Sequence, residues 1–307
     1  LPNVWTHILF GERVIEGAGL EDKVLDAKNF FQLGTQGPDP FFYHNFLPWK
    51  TKPVTAIGLK IHYEECGPFL IKMIRHGLQN KNDRKLKSYI LGFITHHLLD
   101  RTTHPYINYR SGNEGNRHQK LEIIIDTLLM KKWKNIDTYK VPAYKEIDIG
   151  PNLYEPINQM LSELIKEFFP EEERNMPSNY VNQSYQQMIR ALKVLHDPSG
   201  WKNKLLKERI SPFSYQKLND ETDYLNEQGS KWLHPTNDKE SSVESFLSLF
   251  HKAEIEGIQL LSLVNEYWTE GDLSVYEIVK EKIGNVSYDT GKDCTLALEN
   301  KYFEPIL

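Results

Sequence analysis

Long apolar stripes with helical spacing limit what this chain can fold into more than any other feature. Between residues 56 and 78 the apolar positions Ile57, Ile61, Phe69, Leu70, Met73, Ile74 and Leu78 recur mostly three or four apart, with Gly67-Pro68 as the expected break or kink. Comparable runs cover residues 86–100, 117–133, 153–169, 178–195 and 243–268. Each stripe needs a neighbour to bury it, so the chain reads as all-α. Strict two-residue alternation is scarce, and its best candidate, residues 286–288, is too short to build a sheet. Turn formers cluster at residues 34–40, 109–116, 141–156, 170–177, 197–200 and 226–242, which places the loops there. Residues 284–307 carry no helical stripe and read as an irregular tail over the surface. No internal repeat or low-complexity linker divides the 307 residues.

Charge and cysteine content remove several function classes. The 37 Lys and Arg stand against 42 Asp and Glu, a net charge of −5, which speaks against a stable nucleic-acid complex or an acidic-membrane binder. Two cysteines, Cys66 and Cys294, allow at most one bridge and exclude a cysteine zinc cluster. No apolar run is long enough to cross a bilayer. No basic segment followed by an apolar stretch marks a secretion signal, which favours the cytoplasm, although a start at Leu1 is also what removal of a signal leaves behind. Nucleophile elbows and phosphate-binding loops are missing, and Gly17-Ala18-Gly19 lacks the third glycine of a dinucleotide fingerprint.

The functional signal is the placement of the eleven histidines: eight fall within the first 118 residues, and six of those, His7, His62, His96, His97, His104 and His118, are mixed with well-placed acids. His96 and Asp100 are four apart on an expected helix, so both side chains leave one face and can chelate one ion. Gly92, one turn earlier, leaves room for close approach of another backbone, whereas His97 points elsewhere. The device recurs at His118 and Glu122, with Asp126 one turn further on. Between the pairs stands His104-Pro105, where the proline is expected to end or follow the helix and leave His104 free to reach into a cleft. One such pair is most often a surface ion pair. Two pairs in apolar-flanked helices need compensation for buried charge, and a cation shared between facing helices supplies it. Histidine and carboxylate ligands without cysteine suit zinc, with manganese or iron as alternatives.

These residues resemble the bacterial zinc-dependent phospholipases C, all-helical enzymes that hydrolyse phosphatidylcholine and related phosphodiesters. The resemblance matches His96 and Asp100 to the first metal's pair, and His104, His118 and Glu122 to the second metal's set. Asp39, in Gly37-Pro38-Asp39-Pro40, is similar to the family's metal-binding aspartate that doubles as general base. His62 is similar to the upstream histidine of the first metal, and His7 to the early histidine of a third, which shares the bridging aspartate. Two departures go with it. An N-terminal Trp completes the family's third metal, whereas Leu1 comes first here and Trp5 is internal; and only three residues separate Asp100 from His104. The likeness implies a single helical-bundle domain of the zinc phospholipase C and P1 nuclease type, with a metal-binding core over residues 1–200. Residues 201–307 are expected as a helical C-terminal elaboration packed on the same domain, core packing being favoured over a membrane-docking surface for residues 243–268.

The implied activity is metal-dependent hydrolysis of a phosphate ester at two or three zinc ions, with activated water attacking phosphorus and Asp39 taking its proton. Loss of Asp100 is expected to be the most damaging single change. Phospholipid is the implied substrate, which makes peripheral membrane contact an expectation too. Phe41, Phe42, Tyr43, His44, Phe46 and Trp49 offer ring faces for a quaternary ammonium, although core packing is the commoner use of such clusters. Tyr63, Tyr106 and Tyr109 are expected to brace the ligands. His44, His76, His196, His234 and His251 are assigned structural or surface roles. Three alternatives remain: a zinc nuclease or nucleotidase, favoured by the basic segments 81–87 and 131–134; another metallohydrolase; and a non-catalytic helical protein stabilised by metal.

Overall fold

The computed structural model describes residues 4–46, 50–206, 211–218 and 221–307. The first third of the chain forms helices α1 (Val4–Gly17), α2 (Glu21–Val24), α3 (Lys28–Gly34), α4 (Pro40–Tyr43), α5 (Thr55–Tyr63), α6 (Cys66–Gln79) and α7 (Arg84–Ser111). There follow α8 (Arg117–Lys134), α9 (Tyr144–Ile147), α10 (Glu155–Phe168), α11 (Pro170–Glu173), α12 (Tyr180–Leu195) and α13 (Trp201–Leu206). Strands β1 (Trp232–His234) and β2 (Asn237–Ser242) precede α14 (Phe246–Glu270) and α15 (Leu273–Ile283). The fold is all-α. The antiparallel β1–β2 hairpin occupies part of the span expected as loop, and its outward strand is almost wholly polar.

Helix α7 is the axis of the bundle. Asp83 caps its start by accepting from the Leu86 amide (3.0 Å), and Gly112 ends it at φ +69°. Almost every residue from Ser88 to Ser111 is buried, the mark of a helix enclosed on all sides. Helices α1, α3, α6, α8 and α14 pack around it. Phe93 and Leu98 are fully enclosed, and each such side chain stabilises the core by roughly 1.5–3 kcal/mol. The crossing with α3 is unusually close because both helices carry glycine there. A Cβ on Gly34 would fall 2.1 Å from the Tyr89 carbonyl oxygen, and one on Gly92 2.2 Å from that of Phe31. Helix α14 lies on α1 and α7, tied by Arg13 to both oxygens of Glu254 (2.8 and 3.1 Å) and by an edge-on Phe10–Phe250 contact.

Three expectations need correction. The break in residues 56–78 falls at Glu64 and Glu65, where Glu65 adopts φ +51°, and Gly67-Pro68 lies inside the first turn of α6, where a proline costs no hydrogen bond. Pro105 does not end α7, which runs six residues further; dense burial holds the turn, and Gly291 packs against the Arg101 carbonyl that the missing Pro105 amide leaves free. Finally, residues 284–294 are not a surface tail. They fold as a tight strap closed by Ser287 N–H to Lys292 O (2.9 Å) and Cys294 N–H to Asn285 O (2.8 Å), with Tyr288 wholly buried. Among the described residues no helix is long and apolar enough to cross a membrane.

Candidate metal centre

Because α7 continues through Pro105, His96, Asp100 and His104 form one stripe on one helix, a turn apart each. Asp100 is the hub. Its Oδ2 lies 2.9 Å from His96 Nε2, and its Oδ1 lies 3.2 Å from His7 Nε2 and 3.5 Å from His104 Nε2. Helix α1 supplies His7, whose ring stacks on His96 at 4.2 Å. Helix α5 supplies His62, and the turn before α4 supplies Asp39: His62 Nε2 is 3.4 Å from Asp39 Oδ1, and His96 Nε2 is 3.9 Å from Asp39 Oδ2. On the other side, Glu122 of α8 places Oε1 3.2 Å from His104 Nε2 and 3.1 Å from His118 Nε2. Three sets of donor atoms lie close enough to share an ion: His7, His96 and Asp100; Asp39, His62 and His96; and His104, His118 and Glu122. All eight residues singled out from the sequence converge here. Every one is buried except His118, which is partly exposed.

The outer ring atoms show which nitrogen is offered. His62 Nδ1 donates to Gly58 O (2.7 Å), His96 Nδ1 to Thr35 O (3.0 Å) and His104 Nδ1 to Tyr288 O (3.1 Å). A carbonyl can only accept, so these Nδ1 atoms carry protons and Nε2 is turned inward as the ligand atom. Asn108 Nδ2 donates two bonds to Asp289, one to its carboxylate (2.9 Å) and one to its carbonyl (3.2 Å). That fixes the Asn108 amide so that its Oδ1 faces His118 Nδ1 at 3.0 Å, and Nε2 again points inward. Gly37, at φ +51°, lets the α3–α4 turn lie against His96, since a Cβ there would meet the ring at 2.3 Å.

Such an arrangement is short of positive charge. Three carboxylates, each at most 4% exposed, face imidazole nitrogens with little water to solvate them. Burial would push the Asp100 carboxyl up, yet His104, His96 and His7 draw it well below the usual carboxylate range. Burial likewise opposes a charge on Glu122 and is overcome by His118 and His104. His104 shows the same demand from the other side. Burial opposes its protonation, but Asp100 and Glu122 hold its pKa up to about 10. A cation held by the second group would compete with that proton. Three buried atoms of the first group, His7 Nδ1, Asp39 Oδ2 and His96 Nε2, have no hydrogen-bond partner. His96 Nε2 is close to Asp100 Oδ2 but not aligned to bond it, the geometry of two groups turned towards a third. The nitrogen and oxygen donor set without sulfur fits zinc.

A family-wide pattern decides the relationship: that of the zinc dependent phospholipases C matches residues 6–178, more than half of the chain. The chain belongs to that family. All eight converging residues lie inside the matched span, and zinc and phosphoester hydrolysis are the family's chemistry. No curated protein and no solved structure matches the chain.

Other sequence-singled residues go elsewhere. Asp126 is not at the centre; its carboxylate accepts from the Trp5 and Thr6 amides (3.0 and 2.7 Å) and from Tyr215 Oη (2.5 Å), and so caps helix α1 and sets His7. His97 points away and donates from Nε2 to Val286 O (2.8 Å). Tyr106 donates to Tyr224 O and Tyr109 to Glu304, so neither braces a ligand; Tyr63 does line the cleft. Of the aromatic segment, Phe41 and Tyr43 are core, Phe42 and Phe46 face the cleft, His44 bonds Gln183, and Trp49 lies outside the described residues, as does Leu1. The sequence reading missed Asn108, Tyr288 and Asp289. Asn108 had a usable signal, four residues after His104 on the same face. The strap had none.

Proposed function

We propose that this chain cleaves the phosphate ester of phospholipids, with two or three zinc ions held by His7, Asp39, His62, His96, Asp100, His104, His118 and Glu122. When bound, zinc polarises phosphoryl oxygens and lowers the pKa of water towards neutrality. The observation that carries the reading is the set of histidine Nε2 atoms turned onto three buried carboxylates, an arrangement that a cation relieves. Asp100 spans both groups and holds them in register. Asp39 acts as general base: its Oδ2 is buried without a partner and faces the first group, where it can take the proton of an attacking water.

The cleft above the centre favours a lipid over a polyanion. Its volume is about 1710 Å³, and Phe42, Phe46, Leu59, Val194, Phe213 and Leu298 form apolar walls. Leu59 and Val194 are also exposed, which suits contact with a lipid surface. Among the described lining residues there is one lysine, Lys52, and no arginine, against the acids Glu64, Asp289, Asp293 and Glu299. That balance repels nucleic acid. The basic runs that argued for a nuclease are engaged elsewhere: Lys131 pairs with Asp137, Lys132 with Glu227 and Lys134 with Glu12, while Lys85 and Lys87 lie over aromatic rings. Lys131 sits 13 residues beyond His118 on α8, or about 20 Å at 1.5 Å per residue.

The test is hydrolysis by the zinc-loaded protein of p-nitrophenyl phosphorylcholine, bis-p-nitrophenyl phosphate and single-stranded DNA, beside a metal-free control. Metal-dependent turnover of the phosphorylcholine ester above the other two supports the reading. Preferential cleavage of DNA, or turnover that ignores metal, removes it.

A further inference from the structure

The two cysteines, 228 residues apart in sequence, meet at one point. Cys294 Sγ lies 3.4 Å from Cys66 Sγ, in a protein with no other cysteine. Cys66 opens helix α6 and is fully buried, with Sγ 3.3 Å from Ile61 O; Cys294 closes the strap, is partly exposed and lines the cleft. Neither sulfur belongs to any group of side chains able to hold an ion among the described residues. The backbone around the pair is already tied. Cys294 N–H donates to Asn285 O, and Gly67 N–H to Asn285 Oδ1 (3.2 Å). A disulfide needs a sulfur separation of about 2.05 Å, so closing it asks each side chain to move roughly 0.7 Å.

We propose that Cys66 and Cys294 form a reversible disulfide that pins the strap 285–294 to helix α6 and thereby steadies the second group of metal ligands. Two strap residues reach that group from outside, Tyr288 through its carbonyl on His104 and Asp289 through Asn108 on His118. The strap lies beyond the family-matched span, residues 6–178. The cross-link stands on the sulfur geometry alone; its effect on metal rests on the function proposed above.

The oxidation balances with a small-molecule disulfide such as oxidised glutathione. The accessible Cys294 thiolate attacks it, releasing one reduced glutathione and leaving a mixed disulfide. The Cys66 thiolate then displaces the second glutathione and closes the Cys66–Cys294 bond. Two protons and two electrons leave the protein, and one disulfide becomes two thiols. The order follows exposure, since only Cys294 can meet an external reagent. The neighbouring Cys66 thiol also draws the Cys294 thiol down, against burial, whereas burial pushes Cys66 up.

The full chain, reduced and desalted, is incubated with oxidised glutathione, quenched in acid and weighed intact. The expected product is lighter by about 2 Da, with a Cys66–Cys294 peptide on a non-reducing map and a melting midpoint raised by roughly 5–10 °C. Zinc-loaded oxidised and reduced samples then meet a chromogenic chelator, and release is expected to be about threefold or more slower from the oxidised protein. Cys294→Ser is expected to show neither the mass loss nor a redox-dependent release rate. Glutathione retained on Cys294, or no reaction, overturns the cross-link. A cross-link with unchanged zinc release overturns the coupling to metal. A protein that cross-links but takes up no zinc sinks the proposed function and leaves the disulfide standing.

Discussion

The two halves of the centre are built differently. His62 and His96 are braced by main-chain carbonyls, Gly58 and Thr35, from helical segments within the first 60 residues, and the whole first group is buried. His104 and His118 are braced by Tyr288 and, through Asn108, by Asp289, and His118 is partly open to solvent. The first group takes its ring orientation from the bundle core, and the strap meets it only from behind, where Tyr288 N–H and Ser287 Oγ donate to the His62 carbonyl (3.0 and 3.1 Å). The second draws both of its ring braces from the strap. An account with this asymmetry expects the second group to be the one tuned by changes outside the ligands.

Replacement of Asp100 erases the difference and is the largest expected effect. Asp100→Ala should empty both groups and reduce hydrolysis by ~10³-fold, since the surviving imidazoles and acids hold no ion in place. His97→Ala, which removes only the bond to Val286 O in the strap, should retain far more zinc than Asp100→Ala; equal loss in both variants would remove the bridging assignment. Next comes Glu122→Gln, which should release zinc from the second group while the first retains its complement, read as a partial drop in zinc per chain. Loss of all zinc would show the groups to be one site. Asp289→Asn tests the strap more finely. Its new amide can present a donor to Asn108, freeing that amide to turn and His118 to lose its brace. Zinc affinity of the second group should weaken about 10- to 100-fold with the first unchanged.

The smallest effect is one of pH on the metal-free protein. Burial and Arg101 hold the pKa of His97 well below its ordinary value. In the unfolded chain it titrates near 6.5. Below that pH the unfolded state binds a proton that the folded state refuses, so stability is present above about pH 6.5 and is lost as pH falls. His97→Gln, which can still donate to Val286 O, should flatten the dependence of urea midpoint on pH between about 6.5 and 5. An unchanged slope would mean that His97 does not anchor the strap as a neutral donor.

What the sequence made legible follows the same division. Helical spacing located the helices that carry His96, Asp100, His118 and Glu122, because one amphipathic period records both burial and the face on which ligands sit. It misjudged Pro105, since a proline's local cost says nothing of the packing that outweighs it in α7. Asp126 shared the stripe of Glu122 yet turned to cap α1, a choice made by the tertiary position of the Trp5 and Thr6 amides. The strap was invisible because it contributes carbonyl groups and one carboxylate through irregular backbone, and such contacts leave no period in a sequence. Gly92 was read as a point of close approach, and the α3 backbone is what approaches there.

Zinc content after exhaustive dialysis, measured by elemental analysis beside circular dichroism, tests the central claim most directly. The account predicts at least two tightly held ions per wild-type chain and nearly none in Asp100→Ala, with helix content the same in both. A wild-type chain that retains less than one ion, or an Asp100→Ala variant that retains as many as wild type, would contradict it.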